Sequence, residues 1–580
     1  MKDIYWLNEN SRKFLSKGYL LPGVSAEERI REIAIIAERF LNKPGFADKF
    51  YDYMSRGFYS LASPVWSNYG LSRGLPISCF SSYVADDMSR ILFTHAEVGM
   101  MTKYGGGTAG YFGALRPRGA VIKDNGFSSG SVHFMELFDG LINIVSQGSV
   151  RRGHFAPYLP VEHKDINEFL EIGKEGHPIQ ESTYAVTATD KWLDSMVAGD
   201  EEKRKIWAKI IQRRTEIGYP YIFFSDTVNN NTVDVYKDKN MRIYGSNLCS
   251  EICLPTSDEL SFVCCLSSLN LKHYNEWKDT DAVETLTMFL DTVLSDFIER
   301  LEQLRDSGDH QKETAFYFMS RAHKFAKEHR ALGLGVLGWH TFLQENNVSF
   351  ESKEAAALNK EIFALIRRKA YQASKNLAKE YGEPEVLKGY GRRNTTLIAL
   401  APTTSSAFIL GQVSQSIEPL MSNCFVKDVD KIKVTIKNPT LESVLKLKGC
   451  NTPEIWNSIR DNDGSVQHLD CLTDHEKKVF MTFSEIDPKA VLDQAADRQE
   501  YIDQSQSLNL MIDPDMSAKE LNALYLYAWK KGVKTLYYQH SMSAAQRFGR
   551  KKLLEASKKK LETENAVHIS SENVCVSCEA

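Results

Sequence analysis

The chain has 580 residues, of which 43% are hydrophobic and 25% charged, a composition that is ordinary for a water-soluble globular protein. Its 71 Lys and Arg residues and 75 Asp and Glu residues give a formal net charge of −4, which argues against a protein whose main task is to bind the phosphate backbone of a nucleic acid. The N-terminus has no signal-peptide pattern and no apolar run approaches the ~18 residues of a membrane span, so the sequence predicts a cytoplasmic protein with no membrane and no nucleic acid as partner.

The first part of the chain, residues 1–60, is predicted to be a short helical region. Ser25 and Glu28 form a capping-box pattern, and apolar residues follow at helical spacing. A Lys-Pro-Gly turn ends that helix, and a second helix is predicted to run through Phe50 to Tyr59. From Leu61 onward, short apolar runs alternate with helical stretches and glycine-rich loops, which indicates an α/β body.

Two later stretches differ in composition from this body, which is predicted to cover residues 61–424 and 498–556. Residues 425–497 are polar, with turn residues and a capped helix start, and are predicted to form a small inserted α/β subdomain. Residues 557–580 are charged, then small and polar, and are predicted to form a flexible C-terminal tail.

The segment Ser-Asn-Leu-Cys-Ser-Glu at residues 246–251 is the most informative short pattern. If it is extended, Asn247, Cys249 and Glu251 face one pocket, because residues two apart point to the same side of a strand. A thiol between an amide and a carboxylate suits hydrogen abstraction with acid–base help. A loop with a buried cysteine explains the same pattern, and residue types alone do not decide between the two.

Four further cysteines have positions that suit redox chemistry. Cys79 and Cys264 lie in predicted strands, where each taken alone is more often a core residue. Cys575 and Cys578 form a CxxC pair at the end of the chain, which fits half of a zinc site, a thioredoxin-type motif or a shuttle dithiol. A dithiol on a mobile arm is favoured, because no second Cys or His pair lies nearby and the motif does not open a helix within a domain.

Hydroxyl-bearing residues supply the remaining candidates. Tyr537 and Tyr538 follow an amphipathic helix in a predicted strand, and are either packing residues or a pair of redox-active phenols. The turn Ala-Pro-Thr-Thr-Ser-Ser at 401–406 ends an apolar run, which suits a phosphate or a simple cap. Ser63, in Leu-Ala-Ser-Pro, offers another hydroxyl of this kind.

Taken together, these motifs resemble the large, catalytic subunit of class I ribonucleotide reductase. The resemblance covers nearly the whole chain, through ten segments in order: LASP at 61, ISC at 77, GGGTAG at 105, SQGSVRRG at 146, SNLCSE at 246, CCLSSLN at 264, APTTSS at 401, SIEP at 416, KTLYYQ at 534 and CVSC at 575. Any one could occur by chance, whereas all ten in this order are highly specific. The resemblance implies an α/β fold, a ten-stranded barrel of two antiparallel halves with SNLCSE at the tip of a central finger loop.

The resemblance also implies a catalytic role for five residues. Cys249 resembles the thiyl-radical cysteine that takes the 3′ hydrogen of the ribose. Glu251 resembles the general base at the 3′-hydroxyl, and Asn247 the amide that binds the sugar. Cys79 and Cys264 resemble the pair that delivers two electrons and ends as a disulfide.

Other residues are assigned to radical transfer, re-reduction and binding by the same resemblance. Tyr537 and Tyr538 resemble the tyrosine pair that passes the radical inward, and Cys575 and Cys578 the tail dithiol that re-reduces the active-site disulfide. The substrate and diphosphate contacts are implied to be Ser63, Ser78, Thr403, Thr404, Ser405 and Ser406. The effector-binding parts are implied to be Asp86, Arg116 and the segment 123–128, with Gln147 and Arg151 in the loop that reports the effector to the substrate.

The implied activity is the reduction of ribonucleoside diphosphates to 2′-deoxyribonucleoside diphosphates for DNA synthesis. The implied partners are a second copy of the chain, a thioredoxin- or glutaredoxin-type reductant and a small, metal-containing beta subunit that supplies the radical. No metal or other cofactor is expected in this chain, apart from a dNTP or ATP specificity effector at the dimer contact. The N-terminal ATP-cone domain that many members carry is expected to be absent, because only the helical region 1–60 precedes LASP.

Three alternatives remain for comparison. An adenosylcobalamin-dependent ribonucleotide reductase shares the barrel and the cysteines but does not need the tyrosine pair. A degenerate nucleotide-binding protein without activity is expected to have lost an active-site cysteine, Glu251 or the tail dithiol, and the sequence keeps them all. A general dithiol oxidoreductase leaves the SNLCSE and APTTSS segments unexplained.

Overall fold

The computed structural model describes residues 4–148, 151–429 and 432–541. The strands in these ranges are β1 (Tyr59–Leu61), β2 (Cys79–Tyr83), β3 (Gly107–Tyr111), β4 (Val121–Ile122), β5 (Gly126–Phe127), β6 (Phe155–Pro160), β7 (Ala185–Ala188), β8 (Tyr221–Phe224), β9 (Phe262–Asn270), β10 (Leu332–Leu337), β11 (Cys424–Val429), β12 (Ile432–Lys437), β13 (Leu510–Met511), β14 (Thr535–Leu536) and β15 (Gln539–His540).

The α-helices of the same ranges are α1 (Glu9–Ser16), α2 (Ala26–Leu41), α3 (Phe46–Ser55), α4 (Ser63–Asn68), α5 (Met88–Lys103), α6 (Ser131–Ile144), α7 (Ile166–Phe169), α8 (Asp190–Ala198), α9 (Glu201–Ile217), α10 (Ser225–Asn230), α11 (Asp234–Asp238), α12 (Tyr274–Trp277), α13 (Ala282–Arg305), α14 (His310–His329), α15 (Trp339–Glu345), α16 (Lys353–Tyr381), α17 (Thr404–Ile409), α18 (Pro439–Leu447), α19 (Pro453–Asp461), α20 (Asp474–Val479), α21 (Pro488–Gln499) and α22 (Ala518–Lys530). No helix in the described part of the chain is both long and apolar enough to cross a membrane.

Helices α1 to α3 precede the first strand. Helix α2 begins with the predicted capping box, in which Ser25 Oγ accepts from the N–H of Glu28, and Glu28 Oε2 accepts from the N–H of Ser25. The predicted second helix is wrong at its end, because α3 stops at Ser55 and β1 begins at Tyr59. Gly57 lies between them with φ of 72°, a conformation that favours glycine and ends the helix.

Ten strand positions within the described residues close into a ring. In one half, β2, β3, β6, β7 and β8 are parallel neighbours in that order. In the other half, β9 pairs in parallel with β10, and residues 397–400 bridge β10 to the segment 504–507. Strand β13 continues that segment and pairs in parallel with β15. The halves join where β9 meets β2 and where β14 meets β8, both antiparallel. The predicted ten-stranded barrel of two antiparallel halves is therefore confirmed.

The long strand β9 has all nine residues buried, because one face of it lines the barrel and the other packs against helices. The side chain of Cys265 faces the helices, where its Sγ donates to the carbonyl of Leu290 in α13 at 3.3 Å. Its neighbour Cys264 points to the opposite face, since successive side chains alternate along a strand.

The predicted finger loop lies inside the ring. Tyr158 Oη, from β6, donates to the carbonyl of Asn247 at 2.7 Å. Thr535 Oγ1, from β14 in the other half, donates to the carbonyl of Ser250 at 2.9 Å. Because both halves of the barrel hold it, the segment 245–256 is completely buried although it has neither helix nor strand.

A second cluster of buried residues lies outside the barrel. It is formed by Cys424 of β11, helices α18 to α20 and the loop before α20, and its buried members include Leu441, Leu445, Trp456, Ile459 and Phe480. Helix α20 begins with a capping box of Thr473 and Glu476, at the place where the sequence predicts a capped helix start. The following helix, α21, contributes its apolar side chains to the main core instead.

Candidate active site

The segment 246–251 forms a tight turn, so the extended conformation that would put Asn247, Cys249 and Glu251 on one side of a strand is not found. The N–H of Ser250 donates to the carbonyl of Asn247 at 3.4 Å, and Ser250 has φ of 67°. Asn247 Oδ1 accepts from the N–H of Ile252 at 3.2 Å, and Ser246 Oγ donates to the carbonyl of Ile252 at 2.7 Å. These short polar side chains bond the backbone locally and compete with a strand ladder. Cys249 consequently sits at the corner of the turn, in the barrel interior.

Cys79 and Cys264 lie directly opposite each other on β2 and β9. Opposed residues of an antiparallel pair have Cα atoms about 4.5–5.5 Å apart, a separation that a disulfide can span. Both thiols are free and buried. The structure therefore brings together the two cysteines that the sequence places far apart, in a geometry that allows them to be oxidised to a disulfide.

Each of these two thiols has a carboxamide against its sulfur. Asn247 Nδ2 donates to Cys79 Sγ at 3.6 Å, and Gln504 Nε2 donates to Cys264 Sγ at 3.5 Å. Burial raises the pKa of the Cys264 thiol well above its usual value, and the nearby Cys265, Cys79 and Glu251 act in the same direction, whereas the Gln504 hydrogen bond opposes them. Cys264 is thus a neutral thiol at neutral pH, which can donate a proton or a hydrogen atom.

The carboxyl group of Glu251 is completely buried and reaches the same interior space. Ser507 Oγ lies 3.1 Å from Glu251 Oε2 and 2.6 Å from the carbonyl of Cys249, with both oxygens as acceptors. The N–H of Ser505 donates to the carbonyl of Glu251 at 2.9 Å. Serines of the segment 504–511, which sequence reasoning did not single out, therefore position the carboxylate and the cysteine of the finger.

Tyr537 and Tyr538 lie at the break between β14 and β15, with ring centroids 4.5 Å apart. The strand is interrupted because the N–H of Tyr538 bonds the side chain of Asn509, at 3.1 Å, instead of a ladder carbonyl. Tyr221, on the neighbouring strand β8, packs on both rings, with centroids 4.6 Å from Tyr537 and 5.1 Å from Tyr538. Tyr221 thus joins the predicted pair in one aromatic cluster, in which Tyr221 and Tyr537 are buried and Tyr538 is partly exposed.

Tyr221 also lies within electrostatic reach of the finger. Its pKa is raised well above the usual value, first by burial and then by Tyr538 and Cys249, so all three groups lie within electrostatic reach of one another. Tyr221 follows Tyr219 and Pro220 in a short aromatic run. That run predicts a buried strand and carries no further signal, which is why its position beside the tyrosine pair is learned from the fold alone.

Glu418, in the SIEP segment, is a second functional candidate for which the sequence offered no role. Its Oε1 accepts from Asn509 Nδ2 at 2.6 Å, so Asn509 bridges Glu418 to the backbone of Tyr538. Burial raises the pKa of Glu418 to about 8, against the opposing effect of the Asn509 hydrogen bond. A carboxyl group that is protonated at neutral pH therefore lies one residue away from the tyrosine cluster.

The predicted substrate hydroxyls fall at the ends of barrel strands and are largely buried. Ser63 begins α4, with one residue between it and the end of β1, and Ser78 directly precedes Cys79, the first residue of β2. Thr403 has φ of 58° and its Oγ1 accepts from the N–H of Ser416 at 2.7 Å, while Thr404 Oγ1 donates to Gln415 Oε1 at 2.9 Å. These two threonines hold the turn against the SIEP segment, and the next residues, in the first turn of α17, are Ser405 and Ser406.

The predicted effector residues form two separate pairs. Arg116 Nε donates to Asp86 Oδ2 at 2.8 Å, in a half-exposed ion pair. The backbones of Gln147 and Arg151 form an antiparallel bridge, and Gln147 Nε2 donates to Asn68 Oδ1 at 3.1 Å. A Cβ atom added to Gly105 would lie 2.3 Å from Gln147 Oε1, so the first glycine of GGGTAG makes room for this side chain.

Some of the predicted sites lie outside the described residues. These are the tail cysteines Cys575 and Cys578, together with Ser149 and Val150 of the loop between the effector residues. Within the described residues, no group of three or more His, Cys, Asp or Glu side chains is arranged to hold a metal ion.

Comparisons with known proteins were made for the whole chain. Residues 77–203, 195–387 and 384–539 match the family model described as ribonucleotide reductase, barrel domain. The putative ribonucleoside-diphosphate reductase large subunit of Frog virus 3 (isolate Goorha) is 36% identical, over 91% of this chain and 93% of the relative. The ribonucleoside-diphosphate reductase large subunit of Danio rerio is 30% identical, over 92% of this chain and 75% of the relative. Among solved structures, the Actinobacillus ureae class Id ribonucleotide reductase alpha subunit is 55% identical with a TM-score of 0.87, covering 94% of this chain and 99% of that chain.

Proposed function

This chain belongs to the family of class I ribonucleotide reductase large subunits, and on that premise we propose that its reaction, as a ribonucleoside-diphosphate reductase, proceeds through a thiyl radical at Cys249. The single observation that carries the proposal is the opposition of Cys79 and Cys264 across β2 and β9, beside a finger turn that holds Cys249 and Glu251. In the overall reaction a ribonucleoside diphosphate and two thiols give a 2′-deoxyribonucleoside diphosphate, a disulfide and water.

The chemical steps follow from the groups around the finger. The Cys249 thiyl takes the hydrogen atom from C3′ of the ribose, and Glu251 accepts the proton of the 3′-hydroxyl. One thiol of the Cys79–Cys264 pair protonates the 2′-hydroxyl, which leaves as water. The pair then supplies two electrons and becomes a disulfide, and Cys249 returns its hydrogen atom to C3′. Burial of all four groups keeps water away from the radical.

Radical transfer from a second subunit is the part of the proposal that the aromatic cluster supports. Tyr537 and Tyr538 are in ring contact, and Tyr221 packs on both rings. Phenols in contact can pass an electron along the chain of rings while each proton moves locally. The oxidant is proposed to be a radical held by a small, metal-containing beta subunit, which docks near this cluster.

Each turnover consumes the Cys79–Cys264 thiols, so a second dithiol must reduce them again. Cys575 and Cys578 are proposed to do this by thiol–disulfide exchange, and a thioredoxin- or glutaredoxin-type protein then reduces the tail. The proposal rests on the CxxC pattern at the polar end of the chain.

Homodimerisation through helices α5 and α6 is also proposed. Six large apolar side chains are exposed on these helices and on the β4–β5 hairpin, which is more than scattered surface residues explain: Met88, Leu92, Val121, Phe127, Leu137 and Ile144. The two helices are neighbours, and His95 of α5 is hydrogen-bonded to the carbonyl of Leu137 in α6 at 3.1 Å. A second copy that covers this face would remove the apolar surface from water.

The same face is proposed to bind the specificity effector. Asp87 caps the start of α5, next to the Asp86–Arg116 ion pair. Ser128 Oγ donates to the carbonyl of Arg116 at 3.4 Å, which ties the hairpin to this pair. A dNTP or ATP bound here would lie at the dimer contact, with Gln147 and Arg151 in the loop toward the substrate.

The decisive experiment is an assay of CDP reduction by the full chain, with and without a radical-generating beta subunit. Cys264→Ser is expected to abolish turnover, and Cys265→Ser is the matched control, because its side chain faces the helices and a hydroxyl can still donate to Leu290. Turnover by the Cys264→Ser variant, or wild-type turnover with adenosylcobalamin and no partner, would contradict the proposal.

A further inference from the structure

Gln504 is a completely buried side chain at a junction of four parts of the barrel. Its Nε2 donates to the carbonyl of Leu332 in β10 at 2.9 Å, to Thr396 Oγ1 at 3.1 Å and to Cys264 Sγ at 3.5 Å. Its Oε1 accepts from the N–H of Cys253, in the finger loop, at 3.0 Å. One carboxamide therefore contacts both the finger loop and a reducing thiol, and Gln504 itself is 240 residues away from that thiol in the chain.

The orientation of this carboxamide is determined by its partners. With its two ends exchanged, the Gln504 oxygen would face the carbonyl oxygen of Leu332 and the amide nitrogen would face the N–H of Cys253. Both contacts would be repulsive, so the nitrogen must lie on the side of Cys264. The carboxamide has only two N–H groups for three acceptors, so the acceptors compete for them. When the Cys264 sulfur gains negative charge it becomes the stronger acceptor, and its hydrogen bond from Gln504 strengthens.

Negative charge must appear on one of these sulfurs whenever the active-site disulfide is reduced. An attacking thiolate forms a mixed disulfide with one cysteine, and the bond between the two cysteines breaks. The other cysteine leaves as a thiolate and later takes up a proton. In a buried, apolar site a thiolate is costly unless a donor faces it. The N–H of Gln504 points at Cys264 from a side chain that its other contacts hold in place.

We propose that Gln504 is the positioning residue that makes Cys264 the leaving sulfur, so that the incoming thiolate attacks Cys79. The proposal rests on the proposed role of the two cysteines as the reducing pair. Atoms and electrons balance in this exchange. The attacking thiolate forms a mixed disulfide with Cys79, and Cys264 leaves with the electron pair of the broken bond. A second thiol of the reductant then attacks the mixed disulfide and releases Cys79. The direction of the Gln504 effect on the Cys264 thiol, toward a lower pKa, agrees with this assignment.

Asn247 also donates to a sulfur, that of Cys79, but its side chain has a different task in the finger. Its Oδ1 supports the turn by accepting from Ile252, and the turn carries Cys249 and Glu251. The Asn247 contact is therefore part of the finger loop, which substrate is proposed to meet. Gln504 instead lies in the segment 504–507 of the barrel framework, and its side chain contacts Leu332 of β10 and Thr396. This difference favours Cys264 over Cys79 as the sulfur whose charge is stabilised.

The first test needs no variant at Gln504. The full chain with Cys575→Ser and Cys578→Ser is oxidised to the Cys79–Cys264 disulfide, exposed briefly to reduced glutathione, quenched with acid and alkylated. Peptide mass spectrometry should find glutathione on Cys79 and the alkyl label on Cys264. Glutathione mainly on Cys264 would overturn the proposal.

The second test compares matched variants. Gln504→Met keeps the size of the side chain and removes its N–H, and Gln506→Met is the control, because Gln506 is equally buried in the same strand but bonds Ala495 and Gln499 instead of a thiol. The rate at which dithiothreitol reduces the disulfide should fall about tenfold in Gln504→Met, as expected for the loss of one hydrogen bond to a charged group, and should change less than twofold in Gln506→Met.

Gln504→Glu separates positioning from simple support, because it keeps the acceptor for Cys253 and places a carboxyl group against Cys264. Its deficit in disulfide reduction should grow as pH rises and the carboxyl ionises. Equal losses in Gln504→Met and Gln506→Met, with CDP binding weakened in both, would show that Gln504 is only a structural support. Absence of a disulfide after turnover of the pre-reduced wild type would instead refute the proposed function, while the chemically formed disulfide still tests Gln504.

Discussion

Replacing Glu418 by Gln should change the pH dependence of stability by an amount that the structure sets. Burial raises the pKa of this carboxyl from 4.5 to about 8. Gln keeps an oxygen that can accept from Asn509 and has no proton to lose, so the variant lacks the titration while the shape of the side chain is preserved.

The direction in which stability changes with pH follows from which state of the chain holds the proton. Between pH 4.5 and pH 8 the folded chain keeps the proton on Glu418, whereas the unfolded chain releases it. The unfolded state is therefore favoured as pH rises, and the free energy of unfolding falls across this window. At about 1.4 kcal/mol per pH unit, the wild type loses about 3 kcal/mol relative to Glu418→Gln between pH 4.5 and pH 7.

Two measurements check this prediction. Difference infrared spectra of wild type against Glu418→Gln report the carbonyl band of the protonated carboxyl, whose loss with rising pH gives its pKa directly. Thermal unfolding midpoints from pH 5 to pH 8 report stability, with Glu175→Gln as the control because Glu175 is an exposed glutamate. The unfolding midpoint of Glu418→Gln relative to that of the wild type should rise with pH, and that of Glu175→Gln relative to the wild type should stay constant.

The result that would refute the reasoning is a carboxyl band that disappears below pH 6. A difference in unfolding midpoint between Glu418→Gln and the wild type that is constant with pH would also contradict the prediction, because it would show a packing effect without a titration. Either outcome would mean that water or a cation reaches Glu418 and stabilises its charge, so that the side chain is not isolated beside Asn509.

Three further outcomes are expected at the active site. Cys249→Ser should bind CDP in titration calorimetry and show no turnover, because an alcohol O–H is too strong a bond to yield the radical; product from the pure variant would rule out Cys249 as the radical site. Tyr537→Phe and Tyr538→Phe should each keep CDP binding and dimerisation but stop turnover in the presence of the beta subunit, and full activity in either would exclude the radical relay. Replacing both Cys575 and Cys578 by Ser should abolish turnover with thioredoxin and spare much of it with dithiothreitol, whereas equal loss with both reductants would indicate a structural tail.

Short-range sequence patterns predicted those features whose causes are local. The capping box at Ser25 and the capped helix start at Thr473 form as expected, because a cap needs only residues three apart. The motif order identified the family and with it the barrel, since ten segments together carry more information than any single strand. Local reasoning did not give the conformation of the finger, where Ser246 and Asn247 bond the backbone and form a turn instead of an extended stretch.

The tertiary structure alone decided which side chains meet. The register of β2 on β9 places Cys79 opposite Cys264, and no pattern within either strand specifies that register. Tyr221, Gln504 and Glu418 acquire their neighbours from strands and loops that are distant in the chain. Such contacts depend on how the ring closes and on which polar groups must be satisfied once they are buried, and these are properties of the whole barrel, since a short segment by itself can specify only its own conformation.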